Sequence, residues 1–179
     1  MKTVALLVLT AFSFLSLAAQ DTTKVQEPEY TGTVFSLDPA GTLTPLEKQQ
    51  PNIQSKVKAF GYGGAQTSTI YKGAKSPVRF KAGQDIQFVI RAGRGVDPDS
   101  LIKLNVLSVS KDQRSVTMAK IGSMGFGGVK STNGEAQQAL NFKKYGEQSY
   151  TVSPAQPLAP GEYAFTFGQY AFLFGIDAQ

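Results

Sequence analysis

The stretch that decides the fold is residues 158–176, L-A-P-G-E-Y-A-F-T-F-G-Q-Y-A-F-L-F-G-I. Large side chains occupy every second position on both sides of its centre: Tyr163, Phe165, Phe167, Phe172, Phe174 and Ile176. Alternation with aromatic enrichment is typical of β-strands, and Gly168-Gln169 suits a two-residue turn whose first residue needs a positive φ. The stretch therefore predicts a β-hairpin with its large residues on one face, where each buried aromatic would contribute roughly 2–3 kcal/mol.

A hairpin of this kind needs further strands to cover its apolar face. Short alternating segments recur along the chain between Gly, Pro and Asp turns: 30–37, 42–46, 55–62, 67–72, 78–81, 86–91, 101–109, 114–121 and 147–152. That pattern is typical of antiparallel all-β domains. We predict a single antiparallel β-sandwich, immunoglobulin-like or jelly-roll-like, with eight to ten short strands and at most one short helix, at 135–145.

The same spacing predicts which strands are neighbours in the sheet. Three pairs of segments should form hairpins: 30–37 with 42–46, 78–81 with 86–91, and 101–109 with 114–121. The polar residues 47–52 and the glycine-rich residues 122–134 should be connections rather than strands.

The N-terminus carries the features of an export signal. Lys2 supplies a positive charge, residues 4–17 form an apolar run that is short for a membrane span, and small residues follow for cleavage. We predict a cleaved signal peptide at 1–19, a flexible lead at 20–29 and a β-sandwich domain at 30–179. The mature protein should be periplasmic or secreted, and should meet a membrane only through an uncleaved signal peptide.

Composition excludes several classes of chemistry. The chain has 179 residues, 41% of them hydrophobic, so it has enough apolar side chains for one ordinary core. It contains no cysteine and no histidine, which removes disulfides, thiolate nucleophiles, imidazole metal ligands and Ser-His-Asp triads. We therefore predict no catalytic residues, no metal site and no cofactor, and a protein that is not an enzyme.

Charge is unevenly distributed along the chain. The formal net charge is +5, but residues 48–144 contain 16 Lys or Arg and only five Asp or Glu. Residues 21–47 contain one base and five acids, and residues 145–179 contain three acids and no base. A basic centre favours an anionic partner; the alternative is a mixed surface, with basic strands beside acidic ones.

Two motifs suggest a ligand, but neither has the full set of residues that binding of that ligand requires. The glycine-rich residues 122–132 end in Lys-Ser-Thr, yet Val129 separates the last glycine from the lysine, so the phosphate-loop pattern is broken and we expect no nucleotide. Asp97 and Asp99 are too few for calcium, which takes six or more oxygen ligands, and they favour a capped turn. Phe126, inside the glycine-rich segment, remains a candidate contact residue.

The sequence therefore predicts an exported bacterial envelope β-sandwich that acts without catalysis, through protein or surface contacts. The alternative is a binding module for an anionic ligand, a polysaccharide or a phosphate-bearing surface, through a basic central face. The candidate ligand-binding residues are Arg79, Lys81, Arg91, Arg94 and Phe126. Expected partners are an envelope protein or an anionic polysaccharide, and we do not expect nucleic acid. A third hypothesis, from a different class, is a small hydrolase that uses paired carboxylates.

Overall fold

The computed structural model describes residues 25–57, 65–124, 128–133 and 137–179, with the backbone alone at 57, 120–124 and 128–133. The predicted signal peptide and Phe126 lie outside the described residues. The described part forms fifteen strands: β1 (Val34–Leu37), β2 (Leu43–Pro45), β3 (Glu47–Gln49), β4 (Asn52–Val57), β5 (Ala65–Lys72), β6 (Arg79–Lys81), β7 (Gln87–Arg91), β8 (Ile102–Val109), β9 (Gln113–Met124), β10 (Gly128–Asn133), β11 (Gln137–Gln138), β12 (Leu140–Tyr145), β13 (Ser149–Pro154), β14 (Gly161–Phe167) and β15 (Tyr170–Asp177). Within it there is no α-helix, only a single 3-10 turn at Pro98–Ser100, and no helix that is long and apolar enough to span a membrane.

The strands form two sheets. The first has the order β12-β13-β7-β1-β2 and is antiparallel throughout. The second has the order β3-β15-β14-β8-β9-β5-β4, with β10 paired to β9, β11 to β8 and β6 to β15. Only the β6–β15 pair is parallel among the described strands. The all-β prediction is confirmed, although the strands outnumber the eight to ten expected, because segments predicted as connections or as a helix contain four strands, β3, β10, β11 and β12.

The predicted C-terminal hairpin is confirmed. β14 and β15 pair from Gly161↔Ile176 to Phe167↔Tyr170, and Gly168 in the turn has φ +59°, in the left-handed region that glycine tolerates. All six large residues of the hairpin belong to one buried cluster with residues of the first sheet, among them Val34, Phe88, Ile90 and Val152. The inner faces of the two sheets therefore share a core, which is the arrangement of a β-sandwich.

The opposite face of the hairpin is also buried. Its smaller residues join a second cluster with residues of β5, β8 and β9: Tyr71, Leu107, Val116, Ala164, Ala171 and Leu173. β5 and β9 thus pack over the outer face of β14 and β15. Small side chains on that face leave room for a further layer of structure.

The helix predicted at 135–145 is wrong. The described part of this segment forms β11 and β12, and β12 pairs with β13 along its whole length. Leu140 and Phe142 alternate and pack against the shared core. Burial against the first sheet outweighs the weak helical spacing of the segment.

The predicted hairpin of 78–81 with 86–91 is also wrong. β6 pairs with β15 in the second sheet, whereas β7 pairs with β1 and β13 in the first. The chain crosses between the sheets here, and the rings of Phe80 and Phe88 meet edge to face in the core at 5.9 Å between centroids. Strand spacing alone does not distinguish a hairpin from such a crossing.

Two predicted connections contain strands. β3 lies in the segment 47–52 and pairs with β15, and β10 lies in the segment 122–134 and pairs with β9. The other two predicted hairpins are present, as β1 with β2 and as β8 with β9.

Candidate functional site

The predicted basic residues do not form one cluster. Arg79 donates to Glu162 through Nη1 and to both carboxylate oxygens of Asp177, from Nε at 3.2 Å and from Nη2 at 2.6 Å. Its charge is therefore matched inside the protein. Lys81, two residues further along β6, is exposed and lines shallow clefts beside residues 83–84.

Arg91 and Arg94 lie elsewhere. Arg91 donates from Nη1 to the carbonyl oxygens of Pro28 at 2.9 Å and Glu29 at 3.1 Å, and from Nη2 to the side chain of Gln148 at 3.1 Å. Arg94 is largely exposed and lies 3.5 Å from a carboxylate oxygen of Glu147. Among the described residues this pair shares no partner with Arg79 and Lys81, so two of the four arginine and lysine candidates are engaged internally and two are exposed at separate places.

The described end of the lead is attached to the sandwich. The Glu27 carboxylate accepts hydrogen bonds from the backbone N–H groups of Glu147 and Gln148, at 2.7 and 3.1 Å, and from the Ser149 hydroxyl at 2.6 Å. Burial acts to raise the pKa of Glu27, but these hydrogen bonds outweigh it and leave the pKa below its ordinary value. Together with Arg91, Glu27 holds residues 27–29 against the turn between β12 and β13.

Sequence reasoning did not predict the buried ion network, which comprises Glu47, Arg79, Arg114, Glu162 and Asp177. At its centre Arg114 is fully buried. Its guanidinium donates to both oxygens of Glu47, at 2.9 and 3.0 Å, and to Glu162 at 3.3 Å. It also donates to the backbone carbonyls of Lys72 at 2.8 Å and Gly73 at 2.9 Å, so all five of its N–H donors are used.

Glu162 links the two arginines of this network. One carboxylate oxygen accepts from Arg79, and the other accepts from Arg114 and from the backbone N–H of Ser76 at 2.9 Å. For Glu47, burial raises the pKa, but the hydrogen bonds from Arg114 and its neighbours bring it below its ordinary value. The network joins β3, β6, β9, β14 and β15, and its carboxylates point inward toward guanidinium groups. This geometry suits a structural role, fastening β9 to the sandwich.

The described residues contain no group of three or more Asp, Glu, His or Cys side chains placed to hold a metal ion.

The most distinctive surface is a four-stranded part of the second sheet, β4-β5-β9-β10, which we call the arm. The segments that form it, 52–72 and 113–133, contain six Lys or Arg and not one Asp or Glu. One of the six, Arg114, belongs to the buried ion network. The other five are lysines, so the two segments are cationic in composition.

Register assigns three of these lysine positions to one face of the sheet. Gln66 on β5 is the partner of both Lys56 on β4 and Lys120 on β9. Its side-chain amide donates to the hydroxyls of Ser68 and Thr117, both at 3.1 Å, so these polar groups share that face. Lys130 on β10 pairs with Gly122, two positions from Lys120, and thus falls on the same face.

The arm also has uncovered apolar side chains and open edges. Ile53 on β4 pairs with Thr69 on β5, yet Thr69 is 7% exposed and Ile53 is 70% exposed. This face of the sheet is therefore buried at β5 and exposed to solvent at β4. Met118 lies at the irregularity in the β5–β9 register and is half-exposed. Within the described part, β4 pairs only with β5 and β10 only with β9, so each presents an edge.

No protein-family model, no curated protein and no solved structure matches this chain. The function must therefore be argued from the chemistry of the surface itself.

The sequence contains a signal that could have identified the lysines of the arm as candidates. No acid occurs between Glu47 and Asp85, or between Asp112 and Glu135. The two acid-free segments are far apart in sequence, and only the pairing of β5 with β9 shows that they form one sheet.

Proposed function

We propose that this chain is an exported bacterial envelope protein that acts without catalysis, by binding an anionic polysaccharide through the arm. Its immunoglobulin-like or jelly-roll-like sandwich would follow a cleaved signal peptide at 1–19, and it would work in the periplasm or after secretion. The N-terminal charge and apolar run support export, and the absence of cysteine and histidine from the sequence supports a non-catalytic role.

The observation that carries this proposal is the acid-free composition of the arm. Lys56 and Lys120 lie on strands that flank β5, about 9–10 Å apart at the usual strand spacing. Hydroxyl and amide groups between them offer further hydrogen bonds. A row of positive charges with no nearby carboxylate attracts a polymer that carries repeated negative charges. Long-range attraction of this kind weakens as salt increases.

Retention on a sulfated polysaccharide resin tests the proposal. The mature protein should bind at low salt and elute in a salt gradient. The triple variant Lys56→Gln, Lys120→Gln, Lys130→Gln should elute much earlier, because it removes three of the five lysines of the arm. A matched variant, Lys75→Gln, Lys103→Gln, Lys143→Gln, makes the same change of charge on the sandwich and should elute near wild type. Equal displacement of the two variants would show that net charge, and not the arm, determines retention.

The second candidate site is the set of ligand-binding residues predicted from the sequence: Arg79, Lys81, Arg91, Arg94 and Phe126. Lys81 and Arg94 are the exposed charges of that set, so the variant Lys81→Gln, Arg94→Gln removes its exposed cations and leaves the internal hydrogen bonds of Arg79 and Arg91 in place. If this variant, and not the arm variant, loses retention, the anionic ligand binds on the sandwich. An envelope-protein partner would instead be recovered from envelope extract at high salt, where charge attraction is screened.

A further inference from the structure

A cleft opens on the sandwich, and no residue of the arm lines it. It lies between the turn before β1, strand β3, the loop after β7 and the turn of the β14–β15 hairpin, and its volume is about 580 Å³. Six lining residues define its chemistry: Tyr30, Lys48, Val96, Phe167, Gln169 and Tyr170. The volume falls within the range of about 300–1,000 Å³ that is usual for ligand pockets.

The cleft combines aromatic surface with a single cation. The ammonium group of Lys48 lies 3.7 Å from the centroid of the Tyr170 ring, a cation–π contact that positions it at the wall of the cleft. No carboxylate lines the cleft, and among the described residues none forms a salt bridge with Lys48. Its charge is therefore available to a ligand.

Tyr30 provides the open aromatic surface. Tyr30 is 66% exposed, and its interaction with the neighbouring Glu29 carboxylate raises the pKa of its hydroxyl above the ordinary value. Glu29 is not among the residues that line the cleft. The side chains of Thr31 and Gln169 add a hydroxyl and an amide to the lining, groups that both donate and accept hydrogen bonds.

We propose that this cleft binds a pyranose ring that carries a carboxylate, that is, a hexuronic acid residue of an acidic polysaccharide. One face of such a ring presents C–H groups and packs on an aromatic side chain, here Tyr30. The carboxylate pairs with Lys48 in a charge-assisted hydrogen bond. The ring hydroxyls meet Thr31 and Gln169, which a purely apolar ligand would bury without partners. This site shares no residue with the arm, so it is a second and independent point of contact.

Titration with three small probes tests the assignment: trigalacturonic acid, the neutral galactotriose, and benzoate. Binding is measured by calorimetry and by shifts of the tyrosine ring signals in NMR spectra. Trigalacturonic acid should bind at least tenfold more tightly than either of the other two. Tyr30→Ala should weaken its binding about tenfold through loss of the stacking surface. Lys48→Met, which keeps a side chain over Tyr170, should weaken it by a similar factor, and Lys103→Met on the open sheet surface should leave it unchanged.

Each contrary result overturns a different part of the proposal. Equal affinity for galactotriose would remove the role of Lys48, and equal affinity for benzoate would show that the ligand is not a sugar. Wild-type binding by the Tyr30 and Lys48 variants, or no binding of trigalacturonic acid at millimolar concentration, would show that the cleft is not the site. Loss of trigalacturonic acid binding in the arm variant Lys56→Gln, Lys120→Gln, Lys130→Gln, with wild-type binding by Tyr30→Ala and Lys48→Met, would show that the acid is held by the arm instead.

Discussion

Replacing Arg114 with methionine tests whether the buried ion network fastens β9 to the sandwich. Methionine keeps much of the length and volume of the side chain but removes all five hydrogen-bond donors. Glu162, whose side chain is 4% exposed, keeps Arg79 as a partner, whereas Glu47 loses its arginine. The backbone carbonyls of Lys72 and Gly73 lose their donor as well.

The expected loss follows from the burial of these groups. Breaking a buried ion pair by removing one partner costs about 3–5 kcal/mol, because the other charge is left uncompensated. Arg114 is fully buried and the Glu47 side chain is 18% exposed, so we expect a loss near the lower end, about 3 kcal/mol. The double variant Glu47→Gln, Arg114→Met should recover part of that loss, since it leaves no unpaired charge at Glu47.

Urea unfolding followed by circular dichroism measures the effect, and its pH dependence identifies the cause. The pKa of Glu47 lies below its ordinary value of 4.5 in the folded wild type. Its contribution is therefore fully present above about pH 4.5 and is lost as pH falls through the folded pKa. In the variant Glu47 loses the hydrogen bonds and the charge of Arg114 and keeps the hydrogen bond from Gln49, so its pKa rises from the wild-type value and acid relieves part of the penalty. The difference between wild type and variant should shrink as pH falls from neutral through the folded pKa of the wild type, which lies below 4.5. A loss below about 1 kcal/mol at neutral pH, or a difference that does not depend on pH, would refute this account.

Three further predictions concern single sites, each measured by urea unfolding except the last. The Tyr71 hydroxyl is buried with no hydrogen-bond partner among the described residues, and burial raises its pKa to about 12, so Tyr71→Phe should be neutral or stabilising by up to about 1 kcal/mol. Tyr163→Phe removes a hydroxyl that donates to a carbonyl at 2.8 Å and should cost about 1 kcal/mol. Equal effects of the two changes would contradict this. A Cβ at Gly175 would overlap the neighbouring guanidinium, whereas one at Gly161 would make only ordinary contacts; Gly175→Ala should therefore cost about 1–3 kcal/mol and Gly161→Ala much less. Glu27→Ala should speed hydrogen exchange at the backbone N–H groups of Glu147 and Gln148 at neutral pH while the core stays protected, because both groups donate to the Glu27 carboxylate; unchanged exchange at these two positions would show that other contacts protect them.

The alternation of large and small residues predicted those features of the fold that depend on residues close together in the sequence. The alternation at 163–176 located the central hairpin and its turn, because side chains on a strand alternate between faces and glycine tolerates a positive φ. Sheet membership was less predictable, because it depends on pairing between distant segments. β6 and β7 are close in sequence but belong to different sheets. The segment 140–145 is a strand because it pairs with β13 and packs its apolar residues against the core.

The same limit applies to the candidate site. Sequence reasoning identified an excess of positive charge in the centre of the chain but not where each charge is used. Arg79 and Arg91 bind partners inside the protein, and those partners lie in segments far away in sequence. The lysines of the arm were visible as two acid-free segments, and only the register of β5 with β9 joins them. The cleft between Tyr30, Lys48 and Tyr170 brings together three parts of the chain with no motif in common.

The position of β15 has a consequence for the order of folding. This strand lies inside the second sheet, with β14 on one side and both β3 and β6 on the other, yet it comes from residues 170–177. Lys48 pairs with Phe172 and Phe80 pairs with Ile176. The early strands β3 and β6 therefore cannot join the second sheet before β15 is available. Domains dominated by such distant pairings fold in about milliseconds to seconds, slowly for their size. Under the export that we propose, the second sheet would be completed only after residue 177 has crossed the membrane.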